Sequence, residues 1–177
     1  MFVRECWFLP AILPHPAFRM EIKDLLSPDD ALIKVWAPDK TSLLRDLATR
    51  AATALALDPE LVVAEVLKRE DLGSTGTGEG VAIPHARIPN LTRPFGTLVR
   101  LQHAIDFDAI DGKPVDIVFQ LLLPQSKGGD PLNALASVAR KLRNPDALRR
   151  LRDARDDAAL YQAIEQAQDL KAAAPQR

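Results

Sequence analysis

Gly73-Ser74-Thr75-Gly76-Thr77-Gly78-Glu79-Gly80-Val81-Ala82-Ile83-Pro84-His85-Ala86-Arg87 is the most distinctive run in this sequence. Its glycines at 73, 76, 78 and 80 are interleaved with Ser74, Thr75 and Thr77. Glycine permits positive-φ turns and lets backbone N–H groups approach a ligand closely. Successive N–H groups in such turns form concave anion sites, and hydroxyls add further donors. The apolar run Val81-Ala82-Ile83 follows, then Pro84 and His85. The stretch reads as a cradle for a phosphate-sized anion, formed by Ser74, Thr75, Gly76, Thr77 and Gly78, that presents one histidine.

Upstream, Asp58-Pro59 has the form of an N-cap with proline at the first helical position. That helix carries Leu61, Val62, Val66 and Leu67 and ends near Asp71-Leu72-Gly73. Before it, Asp39 or Thr41 caps a helix running to about Leu57, with an apolar stripe from Leu43 to Leu55. Ala31–Trp36 fits a strand, and Ser27-Pro28-Asp29 reads as a turn or helix start. Downstream, Pro89 and Pro94 interrupt the chain before a strand over Thr97–Leu101. Val115–Leu123 is nearly all apolar, as expected of a strand buried on both faces. Between the two strands, Asp111-Gly112 signals a turn. Lys127–Pro131 reads as a flexible loop, and helices follow over Leu132–Leu142, Asp146–Ala154 and Asp156–Gln168. Strands mixed with helices on both sides predict a layered α/β domain.

Other uses of the glycine loop fit less well. A Walker loop requires a lysine after the glycines, and none is present. The dinucleotide fingerprint needs G-x-G-x-x-G between a strand and a helix; here the spacing is G-x-G-x-G, and Pro84 breaks any helix that follows. His15, His85 and His103 lie far apart and form no metal-ligand pair, so no metal is expected. Ser74 lacks the G-x-S-x-G elbow of a serine nucleophile. A lone histidine beside a turn is ordinarily a structural residue, and His103 is read that way. His85 stands directly after an anion cradle, which suits accepting a phosphoryl group. Neutral imidazole, with an ordinary pKa of ~6.5, is nucleophilic near neutral pH, and the transfer needs positioning and charge stabilisation above all. Arg69, at the end of the preceding helix, can supply a planar cationic fork; by itself it would read as a surface residue of the Lys68–Asp71 charge cluster.

The chain has 177 residues, is 47% apolar and carries a net charge of −1, which gives no overall sign of nucleic-acid binding. Cys6 is the only cysteine, so a reducing compartment, the cytoplasm, is natural. No apolar run approaches the ~20 residues that span a membrane. Residues 1–19, rich in proline and aromatics, make a poor signal peptide because Pro10 and Pro14 interrupt the apolar part. They read as an upstream extension or a start-site error and are expected to be dispensable. Residues 20–168 then form one domain, and 169–177 a frayed tail.

Lys68-Arg69-Glu70 together with Gly73–His85 resembles the active-site signature of type-2 enzyme IIA domains of the bacterial phosphotransferase system, the fructose and mannitol class. Ile105–Asp116 and the segment from Arg149 to Ile164 resemble the nitrogen-related branch. The resemblance covers about Met20 to Gln166. It implies a three-layer α/β sandwich with a mixed central sheet flanked by helices, and no cofactor. It implies that His85 accepts phosphate on Nε2 from a phosphohistidine carrier protein of the HPr type, with Arg69 as the active-site arginine. Many members carry a second active-site histidine where this chain has Pro131. Phosphoryl transfer is expected without it, though slower or to a less stable product.

Two function classes follow. In the first, the chain is a regulatory phosphotransfer protein whose phosphorylation state selects an unidentified protein target, or else a IIA subunit serving sugar transport. In the second, it is a protein-binding module on the same fold that no longer takes phosphate. Arg69 and the Ser74 and Thr75 hydroxyls are expected to act on transfer rather than on folding.

Overall fold

The computed structural model describes residues 20–125 and 131–167. Among them are six strands and five α-helices: β1 (Leu26–Val35), α1 (Lys40–Leu55), α2 (Pro59–Glu70), β2 (Gly76–Gly78), β3 (Val81–Ala82), β4 (His85–Ile88), β5 (Phe95–Ile105), β6 (Val115–Pro124), α3 (Pro131–Leu142), α4 (Pro145–Asp153) and α5 (Asp157–Glu165). Helix starts follow side-chain capping. Asp39 accepts from Ser42 N at 2.8 Å, Asp58 from Glu60 N at 3.0 Å, and Asp156 from Ala159 N at 2.7 Å. Each satisfies one of the N–H groups that a helix start leaves without an intrahelical partner. Pro59 and Pro145 both occupy the first turn, where no N–H is needed.

β6 organises the molecule. β5 runs antiparallel to one edge of it, with Val99 opposite Val118 and Leu98 opposite Phe119. Along the other edge two short strands follow one another in parallel: β3, with Val81 opposite Ile117, and β4, with His85 opposite Leu121. β1 adds in parallel outside β5, and β2 folds back antiparallel on β3. Strand alternation sends Ile117, Phe119, Leu121 and Leu123 to one face, where they pack with Ala134 and Val138 of α3, Leu151 of α4 and Leu160 of α5. Val118 and Leu122 point the other way, into a core with Leu43, Leu44 and Leu47 of α1 and Val62 and Val66 of α2. The result is a three-layer α/β sandwich about a mixed sheet, with β6 buried on both faces.

Two local expectations are corrected. Ser27-Pro28-Asp29 is not a turn; it lies inside β1. The strand shifts register there, between Leu26 opposite Gly96 and Ala31 opposite Leu98. β1 is an edge strand, and such an irregularity on an edge tolerates a proline that has no N–H to give. The glycine run is not only a loop: it holds β2, β3 and the start of β4. Glycine and proline mask the alternation by which strands are otherwise read. The expected leader, the Lys127–Asp130 part of the loop and the tail lie outside the described residues.

Candidate functional site

The site is assembled where α2 ends beside the opening residue of β4. Pro84 separates β3 from β4 while its carbonyl accepts from Leu121 N at 2.8 Å, so His85 starts a new strand on the same edge of β6. The half-buried imidazole is held from both nitrogens. Nδ1 lies 3.0 Å from Ile83 O, and Arg69 Nε donates to Nε2 at 3.2 Å. A carbonyl only accepts and a guanidinium only donates, so the proton must sit on Nδ1 and the lone pair on Nε2. Arg69 is itself anchored by Nη1 on Gly73 O at 3.1 Å. Burial holds the His85 pKa below its ordinary value; the Ile83 carbonyl and the Glu70 charge oppose this, and the Arg69 charge adds to it. The ring is therefore kept neutral. A shallow cavity of about 320 Å³ opens over it, lined by Glu65, Leu72 and the cations Lys68, Arg69 and Arg87.

The structure brings His85 and Arg69 together and turns the glycine loop elsewhere. Ser74 Oγ donates to Phe107 O at 2.7 Å and accepts from Gly76 N at 3.1 Å. Thr77 Oγ1 donates to Val81 O at 3.2 Å. Thr75 is buried, giving Glu70 both its N–H, at 2.9 Å, and its hydroxyl, at 2.6 Å. Gly78 packs at Asp111, whose carboxylate accepts from Glu79 N at 2.9 Å. At Gly76 an added Cβ would stand 2.7 Å from Ala109 Cα, so no larger residue fits against the 107–111 segment. The hydroxyls of Ser74, Thr75 and Thr77, and the amides of Thr75, Gly76 and Glu79, thus have partners within the protein. This loop is a braced scaffold that aims His85 more than an open nest of donors.

Beneath it lies a polar cluster that the sequence reading missed. Lys40 Nζ meets Glu70 Oε1 at 2.9 Å and Asp108 Oδ2 at 3.2 Å, and sits 5.0 Å from the centre of the Phe107 ring. One buried carboxylate thereby joins α1, the end of α2 and the glycine loop. A signal for both residues existed. Glu70 continues the Val62, Val66 spacing of four, and Lys40 stands three and four residues before Leu43 and Leu44, so each lies on a buried helix face. Lys68 and Arg87 were also missed as site cations. His103 lies exposed on β5, and His15 is outside the described residues. Among the described residues, no group of three or more His, Cys, Asp or Glu could hold a metal ion, and no helix is long and apolar enough to cross a membrane.

Comparison with known proteins matches residues 24–167 to the family described as phosphoenolpyruvate-dependent sugar phosphotransferase system, EIIA 2. The chain belongs to this family. Within it, the similarity is to nitrogen regulatory proteins. That of Bradyrhizobium diazoefficiens is 43% identical over 145 residues, covering 82% of this chain and 95% of the relative. That of Escherichia coli is 38% identical over 146 residues, covering 82% and 90%. The crystal structure of nitrogen regulatory protein IIA-Ntr from Neisseria meningitidis superposes with a TM-score of 0.76 at 29% identity, covering 81% of this EIIA chain and 98% of that one. The chain is thus an EIIA-type regulatory protein of the nitrogen branch, a component of the phosphotransferase system.

Proposed function

We propose that this EIIA domain accepts a phosphoryl group on His85 Nε2 from a phosphohistidine carrier protein of the HPr type, in the cytoplasm, and that the phosphorylation state of His85 governs binding to a regulated protein target. The observation that carries the reading is the pair of contacts on the ring: Nδ1 against Ile83 O assigns the proton there and leaves the lone pair on Nε2, where only the displaceable Arg69 N–H meets it. Nε2 attacks the phosphorus of the carrier's phosphohistidine. The donor's N–P bond breaks, its electron pair returns to the donor imidazole, and a new Nε2–P bond forms. The His85 ring keeps its Nδ1 proton, and Ile83 O offsets the positive charge that develops there. Arg69 leaves Nε2 and meets the phosphoryl oxygens, with Lys68 and Arg87 adding positive potential. Leu72, 83% exposed on the rim of the same cavity, offers an apolar contact to an incoming carrier.

Incubation with phosphoenolpyruvate, enzyme I and the phosphocarrier tests this. The expected result is an acid-labile mass increase of one phosphoryl group that His85→Ala abolishes and His103→Ala leaves intact. Absence of any transfer would favour a binding module that has lost the chemistry.

A further inference from the structure

A second cavity, of about 420 Å³, opens on the other side of the glycine hairpin and shares no lining residue with the one at His85. Thr77, Gly78 and Glu79 form one wall, and the end of α3 and the length of α4 form the other. Leu142, Pro145 and Leu148 give it an apolar floor, and Arg143, Arg149 and Arg152 surround that floor. The three cations are not equivalent. Arg152 is committed: Nε and Nη2 hold Asp116 at 2.8 Å each, and Nη2 also donates to Glu79 O at 2.7 Å. Among the described residues Arg149 pairs only with exposed Asp146 one turn away, a contact that competes weakly with a ligand. Arg143 is exposed and its guanidinium has no partner among the described residues. Of the lining carboxylates, Glu79 is held by Lys113 at 2.9 Å. Asp153 stands at the far end of α4, about 12 Å along the helix from Pro145. The end beside Arg143 and Arg149 is therefore electropositive over an apolar floor.

We propose that this pocket binds a small organic anion: an aromatic or short-acyl carboxylate, sulfonate or phosphate whose charge meets Arg143 and Arg149 and whose apolar body lies on Leu142, Pro145 and Leu148. The volume matches small-molecule sites, and guanidinium forks suit planar or tetrahedral anions. A bare anion would leave the apolar floor wet, and a cation would face two arginines against one free carboxylate. Arg152 ties the pocket to the hairpin that leads into His85. At Gly80, with φ +77°, an added Cβ would stand 2.5 Å from Arg152 Nη2 and 2.7 Å from Asp116 Oδ1, so the Arg152–Asp116 pair lies directly on the hairpin. Occupancy is accordingly felt at Thr77–Glu79.

Anilinonaphthalene sulfonate, an aromatic anion that fluoresces in apolar surroundings, is the probe. Titrated into the full chain, it should saturate at one per molecule and shift the backbone NMR signals of Thr77–Glu79. Inorganic phosphate at the same concentration should leave those signals in place. The double variant Arg143→Glu, Arg149→Glu should weaken binding at least 10-fold and Arg143→Ala about 3-fold, with melting temperatures unchanged because both side chains are exposed. Arg150→Glu, a charge reversal outside the pocket, should stay within 2-fold of wild type. Non-saturable binding, equal weakening by Arg150→Glu, or shifts centred on His85 would overturn the site. No phosphoryl donor is present, so the outcome is independent of the phosphotransfer reading.

Discussion

Arg69 does two things to His85, and they can be measured apart. Its Nε–H marks the lone pair on Nε2, and its charge helps depress the imidazole pKa, where burial is the leading cause. Native His85 should titrate with a midpoint below the ordinary ~6.5. The sign follows from proton counts: near that pH the unfolded chain binds more protons at this residue than the native one. The neutral ring therefore contributes stability above the unfolded value, and that contribution is lost as pH falls through the lower native value. Arg69→Ala should move the NMR midpoint upward. It should also slow phosphoryl transfer roughly 10- to 100-fold, as expected for losing a charge-assisted hydrogen bond worth about 1.5–3 kcal/mol in the transition state. An unchanged rate with a large loss of stability would assign Arg69 to structure. This pair was legible in the sequence because both residues flank one glycine run. Glu70 and Lys40 were not, because a charged residue inside Lys68-Arg69-Glu70-Asp71 looks solvated until the helix face it occupies is considered.

The glycine hairpin owes its shape to hydrogen bonds that no local pattern announces. Ser74 reaches Phe107 and Gly76 packs on Ala109, both far along the chain, and a turn made by long-range contacts leaves only its glycines visible in the sequence. The helices were easier to read, since Asp39, Asp58, Asn144 and Asp156 each act on residues two or three positions on. β1 was misread at Pro28 because edge strands tolerate what central strands exclude. The hairpin's bracing separates two roles for Thr75. If its hydroxyl serves Glu70, as the 2.6 Å bond indicates, Thr75→Val should cost about 1–3 kcal/mol in denaturant unfolding. Transfer should then stay within a few-fold of wild type. A rate loss approaching that of Arg69→Ala with undiminished stability would show that the hydroxyl holds phosphate instead. Glu70→Ala should be the more damaging change. It leaves two buried Thr75 donors unpaired and Lys40 with only the exposed Asp108, a loss of about 3 kcal/mol or more.

Across the whole molecule, the two cores meet at β6, and one feature of that strand runs against its apolar character. Gln120 is 1% exposed and lies opposite fully buried Thr97; among the described residues neither the Gln120 amide atoms nor the Thr97 hydroxyl has a hydrogen-bond partner. Unpaired buried groups of this kind cost free energy. Gln120→Met, which keeps the volume and removes the amide, should raise unfolding stability by about 1–2 kcal/mol. A fall in stability would show that the amide is satisfied in solution. The strand itself was legible as a doubly buried run, and the layered fold followed from it. What the sequence could not show was that the edge of this strand holds two short strands in series and so places His85 against the end of α2. In the proposed function, that placement makes Nε2 the reactive atom. The measurement that tests it most directly is heteronuclear NMR of the chain with nitrogen-labelled histidines, before and after incubation with phosphoenolpyruvate, enzyme I and the phosphocarrier. A phosphorus coupling confined to Nε2 of His85, with Nδ1 protonated throughout, is the predicted result; coupling at Nδ1, at His103, or at no histidine would contradict it.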